Sequence, residues 1–136
     1  MISPLPFAAV SRAPLQILVI DDEAQIRGFL DISLRAQGYR TMLAENARIG
    51  LEKLATDGAD LVILDLGLPD MDGLEALQEI RKWSKVPVIV LTVRAREIEK
   101  VSALDKGAND YVTKPFGIQE LMARIRALLR GRGSAD

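Results

Sequence analysis

The chain contains no cysteine and no histidine among its 136 residues. Without thiols there is no disulfide framework and no thiolate metal site. Without imidazole the commonest general base and zinc ligand is missing. Aromatic residues make up only 4%, few for the stacking platforms that hold single-stranded nucleic acids. The formal net charge is −1, so no basic excess points to a nucleic-acid surface. No apolar run approaches the ~20 residues that span a bilayer. Chemistry must therefore come from carboxylates, lysine, hydroxyl groups or a bound cofactor. What is present is ordinary: 49% hydrophobic and 27% charged residues, as in one soluble globular domain with one well-buried core.

Residues 1–14 carry Pro4, Pro6 and Pro14 and show no helical or strand period. Leu5 to Val10 is too short for a signal-peptide core and lacks a basic flank. This stretch reads as a disordered leader to a cytoplasmic domain spanning 15–130. Residues 131–136, Gly-Arg-Gly-Ser-Ala-Asp, read as the start of a linker. Between them, apolar runs of strand length alternate with segments of helical period. The strands are expected at Leu15–Ile20, Arg40–Ala44, a run ending at Asp65, Val88–Leu91 ending at Thr92, and Asp110–Thr113. The helices are expected at Ala24–Gln37, Ala47–Thr56, Gly73–Trp83, Arg96–Lys106 and Ile118–Leu129. Ile26, Phe29, Leu30, Ile32 and Leu34 recur through the first helix at roughly helical period, and Ile98, Val101 and Leu104 are assigned to the inner face of the fourth. Gly38 and Gly107 follow helices as stop signals. Strict alternation implies a three-layer, doubly wound α/β sandwich: a parallel sheet with helices on both faces.

Leu61-Val62-Ile63-Leu64-Asp65 organises the rest. Four large apolar residues read as a strand buried on both faces. Asp65 sits at its C-terminal lip, where ligands bind in open α/β sheets. The other strand ends supply Asp21 and Asp22, Thr92, and Lys114. If the strand order is 2-1-3-4-5, Asp21, Asp22 and Asp65 line one crevice. Carboxylates crowded together need a cation, and hard oxygen donors suit Mg²⁺. Asp65 is then a nucleophile, a metal ligand or both, since a carboxylate can accept a phosphoryl group. Mg²⁺ and the Lys114 ammonium would neutralise charge on transferred phosphoryl oxygens. Singly, Asp21 or Asp22 reads equally well as a helix N-cap, and Asp70 and Asp72 read as turn and cap residues. The joint placement of polar groups at successive strand ends favours the functional reading.

Asp21-Asp22-Glu23, Leu64-Asp65-Leu66-Gly67-Leu68-Pro69-Asp70-Met71-Asp72-Gly73, Val90-Leu91-Thr92 and Tyr111-Val112-Thr113-Lys114-Pro115-Phe116 together resemble the receiver domain of two-component response regulators. The resemblance implies a flavodoxin-like fold with sheet order 2-1-3-4-5. It implies Asp65 as phosphoacceptor, with Mg²⁺ held by Asp21, Asp22, Asp65 and the carbonyl of Gly67. Thr92 resembles the switch hydroxyl, Tyr111 the aromatic that turns inward, and Lys114 the phosphoryl-pairing lysine, with a cis Lys114–Pro115 bond. The implied partner is a sensor histidine kinase, and the implied protein is a signalling switch rather than an enzyme. Lys114-Pro115-Phe116 with Glu120-Leu121 and Arg124-Ile125 is similar to the branch that carries a winged-helix DNA-binding domain. That branch dimerises on phosphorylation through its fourth helix, fifth strand and fifth helix. Lys100, Asp110, Glu120 and Arg124 match the charged residues of that face, and Val101, Leu104 and Ala123 would form its apolar centre. Within the branch, stretches around Leu66, Lys82 and Pro115 are similar to a regulator of a potassium-transport operon.

Rival readings fit less well. A dehalogenase-like phosphatase would need a second aspartate where Gly67 stands, and an FMN binder would need a phosphate loop where Asp21-Asp22-Glu23 stands. A degenerate receiver working as a constitutive interaction module remains the alternative. It is kept open by Asn109 and Gly131, which stand where the dimer face usually carries charges, and by Val93, which stands where the family has a small residue beside the phosphoryl-binding site. A branched Val93 is expected to slow phosphotransfer, hydrolysis or both. Val93→Ala should change at least one of these rates in a phosphorylation time course; two unchanged rates would remove the idea.

Overall fold

The computed structural model describes residues 14–132. The expected leader, apart from Pro14, and residues 133–136 of the expected linker lie outside the described residues. The elements run β1 (Gln16–Ile20), α1 (Ala24–Ala36), β2 (Arg40–Ala44), α2 (Ala47–Asp57), β3 (Leu61–Leu64), α3 (Gly73–Arg81), β4 (Val88–Thr92), α4 (Glu97–Asp105), β5 (Asp110–Thr113) and α5 (Ile118–Leu129). All strand pairs are parallel, in the order β2-β1-β3-β4-β5. The winding reverses between β1 and β3, which are direct neighbours. No helix among the described residues is long and apolar enough to cross a membrane.

The period-2 alternation of a strand sorts its side chains onto two faces. Leu18, Ile20, Val62, Leu64, Val88 and Val90 face α2, α3 and α4, where Leu54, Ala76, Leu77, Ile80 and Ala103 cover them. Ile17, Val19, Leu61, Ile63, Ile89 and Leu91 face α1 and α5, where Leu30, Leu34, Leu121, Met122, Ile125 and Leu129 cover them. β1, β3 and β4 are buried on both faces, which explains their unbroken apolar runs.

One helix departs from its expected face, and another spreads its apolar residues over both sides. In α1, Leu30 and Leu34 are buried, while Phe29 is half exposed and Ile32 fully on the solvent side. Ile32 lies two residues from Leu30, about 200° around the helix, so both cannot face inward. In α4 only Ala103 is buried; Ile98, Val101 and Leu104 are 67%, 49% and 48% exposed. The i, i+3, i+6 stripe faces solvent because a small residue, Ala103, makes the sheet contact.

The β3–α3 connection is fixed by two aspartates that do no site chemistry. Asp72 is the N-cap of α3, its Oδ1 accepting the Leu74 N–H at 2.8 Å. Asp70 reaches across the chain to the start of α2, accepting the N–H groups of Ala47 and Arg48, each at 2.9 Å. Gly73 lets α3 begin against the β3 terminus, since a Cβ there would collide with the Asp65 carbonyl oxygen. Gly107 closes α4 at φ 112°, a conformation that costs glycine little.

The backbone N–H groups of Ala47 and Arg48 hold the Asp70 carboxyl below its ordinary value. An unfolded aspartate titrates near pH 3.9 (about 3.9 in model peptides). The contribution of Asp70 is therefore complete above that value and lost as the pH falls through the lower folded one. Asp70→Ala is expected to lower Tm at neutral pH by a few degrees, as for other lost helix caps. The gap should close in acid, below the aspartate range; a gap that persists there, in parallel thermal melts, would contradict the assignment.

Candidate functional site

β1, β3, β4 and β5 all point the same way, so their C-terminal ends deliver side chains to one edge of the sheet. Asp21 follows β1, Asp65 follows β3, Thr92 ends β4 and Lys114 follows β5. Asp21, Asp65 and Thr92 are the buried polar residues of the described chain. Asp22 stands beside them and is exposed.

The Lys114 ammonium is the centre of the cluster. Its Nζ donates to Asp21 Oδ2 at 2.9 Å, Asp65 Oδ2 at 3.2 Å and Glu23 Oε1 at 2.7 Å. The lysine, Asp21 and Asp65 side chains are each less than a tenth exposed, whereas Glu23 reaches in from solvent. Burial works against the charge on Lys114, but hydrogen bonds to Glu23 and Asp21 and the field of Asp21 and Asp65 outweigh it and raise its pKa. Burial also pushes the Asp21 carboxyl up, opposed by the Glu23 N–H and by Lys114. The second Asp21 oxygen accepts that Glu23 N–H at 2.9 Å, and its main-chain carbonyl accepts Arg27 Nη1 at 2.7 Å. The N-cap residue of α1 is Glu23, which makes no side-chain cap bond, so the cap reading does not account for Asp21 or Asp22.

Each of Asp21, Asp22 and Asp65 offers a carboxylate oxygen within 4.8 Å of the others. The donor set is all hard oxygen, with no nitrogen or sulfur ligand nearby, and fits a divalent cation of the Mg²⁺ kind. The expected fourth contributor, Gly67, lies on the same loop, and its N–H donates to Asp65 Oδ1 at 3.3 Å. The Lys114–Pro115 bond is cis.

Thr92 and Tyr111 are linked to each other through Arg94 in the β4–α4 segment. Thr92 Oγ1 accepts the Arg94 N–H at 3.4 Å. The Tyr111 hydroxyl donates to the Arg94 carbonyl at 2.8 Å, and its ring packs against the core on the α2–α4 face. Burial, then the charge of Glu99, raises the Tyr111 pKa. Val93 is largely exposed and lines an open groove of about 510 Å³ with Ile26, Phe29, Lys114, Pro115 and Phe116. On the neighbouring face Arg124 pairs within its own chain, with Asp110 at 3.0 Å and Glu120 at 2.8 Å. Lys100 borders the same polar cleft as Glu120 and Arg124. Val101, Leu104 and Ala123 are exposed beside it.

Sequence reasoning missed Glu23 and Arg94. The run Asp21-Asp22-Glu23 was a usable signal for the first, because an acid next to two others near a buried lysine shares its field. Nothing in the spacing marked Arg94, whose partners come from a distant loop. Lys114→Met should leave Asp21 and Asp65 buried and unpaired, at a cost on the order of 3 kcal/mol when one side of a buried pair is removed. Urea unfolding at neutral pH without divalent cations checks this; unchanged stability would show the ammonium is not holding the carboxylates.

Comparison with known proteins places this geometry. The response regulator receiver domain family matches residues 17–126. The KDP operon transcriptional regulatory protein KdpE of Escherichia coli is 53% identical over 114 residues, 84% of this chain and 51% of the relative. The chain thus spans about half the length of the curated relatives it matches. A two-component response regulator from Clostridium difficile superposes with a TM-score of 0.85 at 29% identity, covering 88% of this chain and 99% of that one. The beryllofluoride-activated N-terminal receiver domain of Klebsiella pneumoniae RstA gives a TM-score of 0.82 at 26% identity, covering 85% of this chain and 98% of that one. The sheet order, the acidic edge and the sequence match over most of the described residues agree, and the chain belongs to the receiver domains of two-component response regulators.

Proposed function

We propose that this receiver accepts a phosphoryl group on Asp65 from the phosphohistidine of a sensor kinase. One Asp65 oxygen attacks phosphorus, the P–N bond breaks, and the imidazole leaves with the electron pair. The observation that carries the reading is the Lys114 ammonium held between Asp21 and Asp65 at the carboxyl edge of the sheet. In that place it pairs with charge on the transferred oxygens. Asp21, Asp22, Asp65 and the Gly67 carbonyl would hold Mg²⁺, which supplies further neutralisation of phosphoryl charge. The groove lined by Ile26, Phe29, Val93 and Phe116 opens beside Lys114 and suits the kinase helix that bears the donor.

The product adds negative charge and new acceptor oxygens beside Thr92 and Lys114. We read this as biasing a two-state arrangement of α4, β5 and α5, and as promoting a symmetric dimer. The stripe of Ile98, Val101 and Leu104 on α4 supports that surface, because it is apolar, exposed and bordered by Lys100, Glu120 and Arg124. The 53% identity to the KDP operon transcriptional regulatory protein KdpE supports a DNA-binding domain in the whole protein, cytoplasmic placement and control of potassium-transport genes. In this reading the protein is a switch rather than a turnover enzyme.

With Mg²⁺ and acetyl phosphate, intact mass should rise by one phosphoryl group, and light scattering should show a shift to dimer. Asp65→Asn should abolish both. Leu104→Asp should keep phosphoryl uptake and lose the dimer. An oligomer that ignores Asp65 and phosphodonor would instead support the constitutive interaction module.

A further inference from the structure

Arg94 is the residue through which the phosphoacceptor loop touches both switch residues. Its guanidinium leaves the β4–α4 segment and crosses to the β3–α3 loop. There Nη2 donates to the Leu66 carbonyl at 3.3 Å and Nη1 to Asp72 Oδ2 at 3.1 Å. Nη1 also lies 3.7 Å from Glu99 in the first turn of α4. The Leu66 carbonyl belongs to the same peptide group as the Gly67 N–H, which donates to Asp65 Oδ1. The guanidinium and the Asp65 carboxylate therefore grip opposite ends of one planar peptide. Asp72 is a firm anchor, because its other oxygen is fixed as the α3 cap. The Arg94 backbone completes the link, with its N–H on Thr92 Oγ1 and its carbonyl holding the Tyr111 hydroxyl.

We propose that Arg94 is a positioning residue, bracing the Leu66–Gly67 peptide against the segment that docks Tyr111, so that the state of Asp65 is felt at Tyr111. This rests on the reading of Asp65 as phosphoacceptor. A lysine could not replace the brace, because one ammonium lacks the planar fork that serves a carbonyl and a carboxylate together. Side-chain loss leaves the carbonyl of residue 94 chemically intact but frees it to move, and the Tyr111 hydroxyl loses a fixed acceptor. Coupling between the two places is reciprocal: since the brace has binding at Asp65 favour the docked Tyr111, freeing Tyr111 weakens binding at Asp65.

The test is a double-mutant cycle on beryllofluoride affinity at saturating Mg²⁺, read by ¹⁹F NMR of the bound fluoride, with thermal melts confirming folding. Arg94→Ala should weaken binding about five- to tenfold, the lower part of the range of measured couplings. Arg94→Lys should restore little of it. Asp72→Asn keeps the cap oxygen but removes the charge, and should shift affinity in the same direction. Tyr111→Phe should also weaken binding, and the double variant Arg94→Ala/Tyr111→Phe should be no weaker than the worse single change, since both break one linkage. Unchanged affinity in Arg94→Ala, or penalties that multiply in the double variant, would overturn the brace while leaving Asp65 as phosphoacceptor. Wild-type protein with no Asp65-dependent bound fluoride would overturn the underlying reading, and the brace with it.

Discussion

Two carboxylates, Asp21 and Asp65, are buried side by side at the end of neighbouring strands, and the Lys114 ammonium between them is what makes that arrangement tolerable. Each carboxylate alone would carry a desolvation cost, and together they repel. The lysine side chain is itself buried, and the carboxylates and Glu23 around it outweigh that burial and favour its charge. Each group offsets part of the burial cost of the others. That mutual dependence fixes the ends of β1, β3 and β5 relative to one another, and it leaves a site with surplus negative charge open on the Asp22 side.

Around this cluster the loops are held by polar caps as well as by the apolar packing of Leu66, Leu68 and Met71. Asp70 ties the β3–α3 loop to the start of α2, and Asp72 ties it to α3. Arg94 joins the same loop to the β4–α4 segment and, through Glu99, to α4. α4 is the least anchored helix, with Ala103 its one buried side chain. A loop braced by partly exposed ion pairs beside a lightly packed helix has the energetics of a movable element. The sheet behind it, buried on both faces, is a rigid base.

Much of this was legible in the sequence because its signals were local. Apolar runs ending in Asp21, Asp65, Thr92 and Lys114 mark both the strands and the edge where they meet. The bounds of α5 and β5 and the turns at Gly38 and Gly107 follow from period and punctuation alone. The face of α4 that meets the sheet was not legible, because apolar residues at helical spacing do not say which side turns inward. Small residues such as Ala103 carry no hydropathy signal yet decide the contact. Asp70 was readable as a cap, but not as an acceptor for the first N–H groups of a helix more than twenty residues upstream, whose own N-cap is Asn46. Arg94 and Glu23 were missed because their importance lies in partners that only the fold brings near.

In the proposed function Asp65, set against Lys114, forms a carboxyl–phosphoryl anhydride. Its most direct measurement is chemical trapping: incubation with Mg²⁺ and acetyl phosphate, reduction with borohydride, and peptide mass mapping. Homoserine at position 65, absent without phosphodonor and absent when Lys114 is replaced by methionine under the same brief exposure, is the expected result. Homoserine at another aspartate, or none in protein shown to be folded and Mg²⁺-loaded, would contradict it.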